Sequence, residues 1–179
     1  SKLFLFTNHN SPNNRVITVD FGDLNKSNWK DFIAESDFVL SLSKAGGFFF
    51  AKYMVDAISK VYQYDYKGNL LREINLPGIG TASGFSAKNN QKELYFSFSN
   101  YYTPATTYKL DIKSGDYQEF WNPSIDFNSS NYSSKQIFYL SKDGTKVPMI
   151  ITYKKGIELN GKNPTILYGY GGFNISRTP

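Results

Sequence analysis

Val16-Ile17-Thr18-Val19-Asp20, Val61-Tyr62-Gln63-Tyr64-Asp65 and Thr107-Tyr108-Lys109-Leu110-Asp111 share one form, an alternating apolar strand closed by an aspartate, and the aspartates stand 45 and 46 residues apart. Strand-like runs beginning at Leu3, Phe48 and Leu94 precede them and keep the same two spacings. Self-similarity at such a period marks a repeat architecture, in which each period is one supersecondary unit that buries its faces against its neighbours.

Working outward from these markers, the second period divides into strands expected at 39–42, 48–53, 60–65 and 70–76, separated by Gly46-Gly47, a loop at Asp56 and Lys67-Gly68-Asn69. The third divides in the same way, with strands expected at 84–87, 93–97, 106–111 and 117–121. Gly and Asn at the intervening turns tolerate the positive φ that short hairpin loops require. Four strands in 40 to 45 residues is the pattern of a β-propeller blade. Residues 1–36 then hold the tail of one blade, 37–78 a second and 79–123 a third, so the fold is mainly β, a partial β-propeller of about three four-stranded blades. Asp20, Asp65 and Asp111 read as turn residues whose carboxylates accept backbone N–H groups, rather than as metal ligands or catalytic groups.

Composition agrees with a β-rich globular chain. Of 179 residues 40% are hydrophobic and 17% aromatic, mostly 14 Tyr and 15 Phe, which suit a pleated, half-buried surface. The formal net charge is +5, yet the lysines are scattered through turns and form no stripe, and no nucleic-acid motif accompanies them. Nucleic acid is therefore not an expected partner. No apolar run reaches the roughly 18 residues of a membrane-spanning helix, so no membrane role is expected either. Absence of Cys removes disulfides, thiolate metal sites and a Cys nucleophile, and is compatible with cytoplasm or periplasm. No metal and no cofactor are expected. The chain begins without Met inside a strand-like pattern, which reads as a cut end.

The repeat stops after Trp121-Asn122-Pro123, and the polar stretch Asn128-Ser129-Ser130-Asn131 reads as a linker, placing a domain boundary between 127 and 128. A hairpin follows, with strands expected at 136–140 and 147–153 around Lys142-Asp143-Gly144. Pro148 confines its strand to a sheet edge. Thr165-Ile166-Leu167-Tyr168 is a short apolar run suited to a buried strand. It leads into Gly169-Tyr170-Gly171-Gly172-Phe173, where glycines around an aromatic imply a sharp turn and close approach by another group. The strand ends of open α/β sheets are where ligands bind.

Ser141-Lys142-Asp143-Gly144-Thr145-Lys146-Val147-Pro148-Met149, Lys154-Lys155-Gly156 and Leu167-Tyr168-Gly169-Tyr170-Gly171-Gly172-Phe173-Asn174-Ile175-Ser176 resemble the opening of the peptidase domain in the prolyl oligopeptidase family. Upstream, Thr7-Asn8 with Ser11-Pro12-Asn13, and Phe98-Ser99 with Thr103-Pro104, are similar to the closing blades of that family's propeller. The resemblance implies that residues 1–127 are a partial propeller and residues 128–179 the first strands of an α/β-hydrolase domain. It further implies a serine endopeptidase that cleaves after proline in short peptides through a Ser-Asp-His triad. Carried onto this sequence, Tyr170 supplies a phenolic donor to the tetrahedral oxyanion, a role that suits a neutral donor fixed before charge develops. Phe173 and Ile175 line the substrate pocket, with plain core packing as the competing role.

The triad itself is not found in these residues. A nucleophile elbow needs a Gly-x-Ser-x-Gly-like turn. The nearest approach, Gly80-Thr81-Ala82-Ser83-Gly84, sets its Ser one place too late. His9 is the one histidine and has no identifiable Ser partner. The chain alone is therefore expected to be inactive. A propeller-type interaction module without catalysis, and a related oligopeptidase with a different preference at the cleaved residue, stand as alternatives. Open blade faces lead to the further expectation of self-association.

Overall fold

A computed structural model describes residues 2–173 and 175–179. Thirteen strands and almost no helix make up the described residues, arranged in four antiparallel sheets. The first sheet has three strands, β1 (Lys2–Thr7), β2 (Arg15–Asp20) and β3 (Lys30–Ile33). The second has four, β4 (Leu40–Ala45), β5 (Phe48–Val55), β6 (Ile58–Tyr64) and β7 (Leu70–Ile74), and the third has β8 (Thr81–Gly84), β9 (Glu93–Asn100), β10 (Thr103–Asp111) and β11 (Tyr117–Trp121). Each is a simple meander. The fourth is the hairpin β12 (Tyr132–Leu140) and β13 (Lys146–Lys154). The count of three four-stranded blades is corrected in the first sheet, which has three strands, and the sheets do not close into a ring.

The three propeller-like sheets stack face to face, and the sequence of each strand follows from how many of its faces are covered. β5 lies in the middle sheet. Phe49, Ala51 and Tyr53 point to the first sheet, where Phe4 and Phe32 meet Phe49 at 5.1 and 5.4 Å between ring centroids. Phe50 points the other way, into the core shared with the third sheet. Burial on both faces explains the unbroken run Phe48-Phe49-Phe50-Ala51. In β9 only one face is covered, and the burial alternates accordingly: Leu94, Phe96 and Phe98 are inside while Tyr95 is exposed.

A ladder of rings runs through the second core, from Phe50 to Phe85 (5.9 Å), Phe85 to Phe96 (4.8 Å) and Phe96 to Tyr108 (5.2 Å), with Tyr117 edge-on to both Phe96 and Tyr108. This ladder corrects the strand expected at 84–87. Gly84 and Phe85 adopt φ values of 103° and 68°, so β8 stops at Gly84 and the turn swings Phe85 into the core. A bulky residue at positive φ is costly. Burial of the Phe85 ring between two others offsets that cost.

Polar ties set the register between sheets. Leu40 N donates to Asn13 O (2.9 Å), Ala87 N to Lys44 O (3.1 Å) and Ser59 N to Gly80 O (3.0 Å). Gln63, 1% exposed, donates its Nε2 to Ile112 O at 2.7 Å. Gly46 (φ +57°) shows why the turn after β4 needs glycine, since an added Cβ would lie 2.7 Å from Gln91 O and 2.8 Å from Ile112 Cδ1. The repeated aspartates do what the turn chemistry requires. Asp65 Oδ1 accepts from Lys67 N and Asn69 N (2.8 and 2.9 Å), Asp111 Oδ1 from Lys113 N and Ser114 N (2.9 and 2.8 Å), and Asp20 Oδ1 from Gly22 N (2.9 Å).

β12 and β13 pair from Tyr132 opposite Lys154 to Leu140 opposite Lys146; β12 starts earlier than expected and ends at Leu140 as expected, while β13 gains one residue at each end. Pro148 sits opposite Phe138 in this two-stranded sheet, where both strands are edges. One hydrogen bond, Gln136 Nε2 to Asp56 O at 2.6 Å, ties the hairpin to the β5–β6 turn. The buried strand expected at 165–168 is not there. The segment is irregular, with Ile166 94% and Leu167 87% exposed, because no described strand lies beside it to satisfy its backbone and cover its side chains.

Candidate functional site

After β13 the chain leaves the hairpin and runs from 155 to 179 without regular structure in its described residues. The local geometry around Tyr170 comes from two left-handed residues, Gly171 (φ 67°) and Phe173 (φ 51°), and is closed by Ile175 N donating to Gly172 O at 3.1 Å. The backbone folds back beside the phenol, and an added Cβ at Gly172 would meet the Tyr170 ring at 3.4 Å, an ordinary contact. Arg177 lies over this turn, its guanidinium carbon 4.8 Å from the centroid of Tyr170 and 5.6 Å from that of Tyr168. The turn therefore brings together two phenols and one cation. Asn174, within the same motif, lies outside the described residues.

Tyr170 is 48% exposed, Phe173 90% and Ile175 53%. The phenol stands open to solvent rather than among apolar neighbours. Phe173 and Ile175, expected beside substrate, both stand exposed to solvent next to the Tyr170 turn.

His9 is equally far from an acid–base arrangement. It is exposed, its backbone N donates to Thr7 Oγ1 (3.0 Å), and its ring meets the edge of Trp29 at 5.8 Å. No group of three or more His, Asp or Glu with metal-binding proximity occurs among the described residues. No described helix is long and apolar enough to cross a membrane.

A cleft of about 710 Å³ was not foreseen. It opens where β10 and β11 meet the segment that follows them, and Pro104, Phe120, Trp121, Pro123, Ile125 and Phe127 supply its apolar lining. Its sequence signal was the end of β11, where Phe120 and Trp121 are consecutive aromatics on an outer strand, both exposed. Between the second and third sheets, Lys52 donates to Ala82 O at 3.1 Å, and burial pushes its ammonium below the usual lysine range.

Residues 1–121 match the family model described as "Prolyl oligopeptidase, N-terminal beta-propeller domain". Over 177 residues the chain is 50% identical to a protein of Elizabethkingia meningoseptica named prolyl endopeptidase, covering 99% of this chain and 25% of that one. A Dictyostelium discoideum protein of the same name is 39% identical, over 98% of this chain and 25% of its own length. Among solved structures, prolyl oligopeptidase B from Galerina marginata superposes with a TM-score of 0.88 at 29% identity, covering 100% of this chain and 26% of that one. The chain thus spans about a quarter of the length of the relatives it matches.

Proposed function

The chain belongs to the prolyl oligopeptidase family, and on that premise we propose that it forms late propeller blades and the domain junction of a serine endopeptidase that cleaves after proline in short peptides. The observation that carries this is the reach of the similarity. Half identity to a prolyl endopeptidase runs over 99% of the chain, past residue 121 where the propeller match stops and through the Tyr170 motif.

In this proposal residues 128–179 open an α/β-hydrolase domain, with the β12–β13 hairpin as its first element. Tyr170 donates its phenolic hydrogen to the oxyanion of the attacked amide, and Phe173 and Ile175 complete the wall of the proline pocket once a substrate-bearing domain covers them. A half-exposed tyrosine at a glycine turn can be approached by an incoming carbonyl, which supports the role. The 179 residues contain one histidine and no glycine-flanked serine elbow, so the Ser-Asp-His triad is supplied by other residues.

The test has two arms. In the full-length enzyme, Tyr170→Phe is expected to lower kcat by about 10²–10³-fold, the usual effect of removing one oxyanion donor, with KM nearly unchanged. An unchanged kcat overturns the role. The 179-residue chain itself should neither turn over a proline-containing chromogenic peptide nor be labelled by a fluorophosphonate, and labelling overturns the assignment of the triad elsewhere. We also infer that this chain self-associates through the outward face of its third sheet, where Tyr95, Phe120 and Trp121 are exposed. Sedimentation showing one monomer at all concentrations would refute that.

The cleft beside Trp121 favours a second reading, a propeller-type peptide or protein interaction surface without catalysis. Binding of a proline-rich peptide that is lost in Trp121→Ala, combined with a kcat that ignores Tyr170, would favour it over the first.

A further inference from the structure

Two Asx-Gly pairs occur in the chain, Asp143-Gly144 in the hairpin turn and Asn160-Gly161 in the segment between β13 and the Tyr170 turn. Both have the atoms needed to close a five-membered cyclic imide, in which the backbone nitrogen of the glycine attacks the side-chain Cγ of the preceding residue. Their surroundings differ in what holds the glycine nitrogen and in the charge of the side chain that it would attack.

At Asn160 the surroundings favour attack. Gly161 presents no side chain, nothing would lie within 4 Å of a Cβ placed there, and its N–H makes no hydrogen bond among the described residues. Lys162 N donates to Asn160 Oδ1 at 3.0 Å, which polarises the amide carbonyl and places a donor where negative charge gathers in the tetrahedral intermediate. The departing nitrogen, Asn160 Nδ2, donates to Glu158 Oε2 at 3.4 Å, so a carboxylate stands beside the leaving group. The segment is exposed and belongs to no strand, leaving the backbone free to reach the cyclic geometry.

We propose that Asn160 is a self-modification site, deamidating through a cyclic imide formed with Gly161. The bond from Gly161 N to Asn160 Cγ forms, the Cγ–Nδ2 bond breaks, and ammonia leaves with the proton from the glycine nitrogen. Water then opens the imide at either carbonyl, giving aspartate or isoaspartate. No oxidant or reductant takes part. The products carry one negative charge more, and isoaspartate inserts an extra backbone carbon into the segment that leads to Tyr170.

Asp143-Gly144 is an internal control for the geometry. There Gly144 N is held by Ser141 O at 2.9 Å, and the Asp143 carboxylate accepts from Ser141 Oγ and from Thr145 N (3.0 Å). These hydrogen bonds, Ser141 foremost, pull the Asp143 carboxyl down to about 2, which keeps it ionised and a poor electrophile. Asn163 is a chemical control, since Pro164 has no amide hydrogen to lose and cannot form the imide.

The test is peptide mapping of the purified 179-residue protein after storage at mildly alkaline pH. Trypsin releases Gly156–Lys162, in which Asn160 is the one side-chain amide. That peptide is expected to gain about one mass unit and split into two chromatographic forms, one of them methylated by an isoaspartyl methyltransferase with labelled methyl donor. Storage in heavy-oxygen water should place the label in the product, and Gly161→Ala should slow conversion several-fold with the β-rich circular dichroism unchanged. A Gly156–Lys162 peptide that stays at its original mass, or that converts no faster than the peptides containing Asn89 or Asn163, overturns the proposal.

Discussion

Phe48-Phe49-Phe50-Ala51 and Thr165-Ile166-Leu167-Tyr168 are similar apolar runs with opposite fates. The first is β5, paired on both edges by β4 and β6 and covered on both faces by neighbouring sheets. The second is irregular and exposed, with no strand at its side. Apolar residues at strand length therefore do not make a strand; neighbours that take the backbone hydrogen bonds and remove the side chains from water do. The contrast extends to the two kinds of aromatic in this protein, those of the ring ladder and those of the Tyr170 turn.

The largest effect should separate these two kinds. Phe96→Ala removes the centre of the ladder between Phe85, Tyr108 and Tyr117, and is expected to destabilise the chain by about 3–5 kcal/mol in denaturant unfolding. Phe173→Ala should change it by less than about 0.5 kcal/mol. Equal losses at the two positions would break the comparison, because they would mean that the Tyr170 segment is packed in solution.

Next in size is Gln63→Leu, which leaves the Ile112 carbonyl without its buried donor and should cost about 1–3 kcal/mol. No measurable loss would show that stacking apolar faces alone sets the register of the second and third sheets. Gln136→Ala, which cuts the tie to the Asp56 carbonyl, should cost about 0.5–1.5 kcal/mol and loosen the hairpin from the blades. A chain with no native Cys can take a label pair at the hairpin turn and the β6–β7 turn, and a broader distance distribution in the variant checks this outcome.

The smallest effect is that of pH. Hydrogen bonds hold the carboxyls of Asp65, Asp111 and Asp143 below the usual range, chiefly from Asn69, Ser114 and Ser141 respectively, and Asp143 lies at about 2. Groups depressed in the folded state stabilise it fully above the unfolded value near about 3.9 and lose that contribution as pH falls through the folded values. Thermal unfolding followed below about pH 4 should therefore show a decline that is smaller in Asp111→Asn than in the parent chain. All three groups are exposed, so the shift is expected to be modest and to shrink at high salt.

Much of this was legible in the residues because a repeat states the same local problem several times. Asp20, Asp65 and Asp111 announced the turns they cap, and the 45- and 46-residue spacings located the starts of β1, β5 and β9 to within one residue. The start of β8 was not legible, since Gly84-Phe85 reads as strand until the Phe85 ring is seen to need a place in the ladder. Residues 30–33 passed unread as a strand because Lys30-Asp31-Phe32-Ile33 is too short and too charged to show a period. At the Tyr170 turn the motif named the candidate residues, while the absence of packing on Phe173 and Ile175 could not be read from their apolar character.

Local chemistry, then, was determined by the sequence alone: strand periodicity, turn glycines, carboxylate caps, the absence of any thiol and the motif that marks the family all depend on residues near one another in the chain. The tertiary structure decided what depends on distant partners. Which strands are covered on one face or two, why Phe85 turns inward, how Gln63 and Gln136 tie one sheet to another, and why an apolar run at 165–168 stays in water follow from what lies beside each segment in space, because burial and backbone pairing are properties of neighbours rather than of the residues themselves.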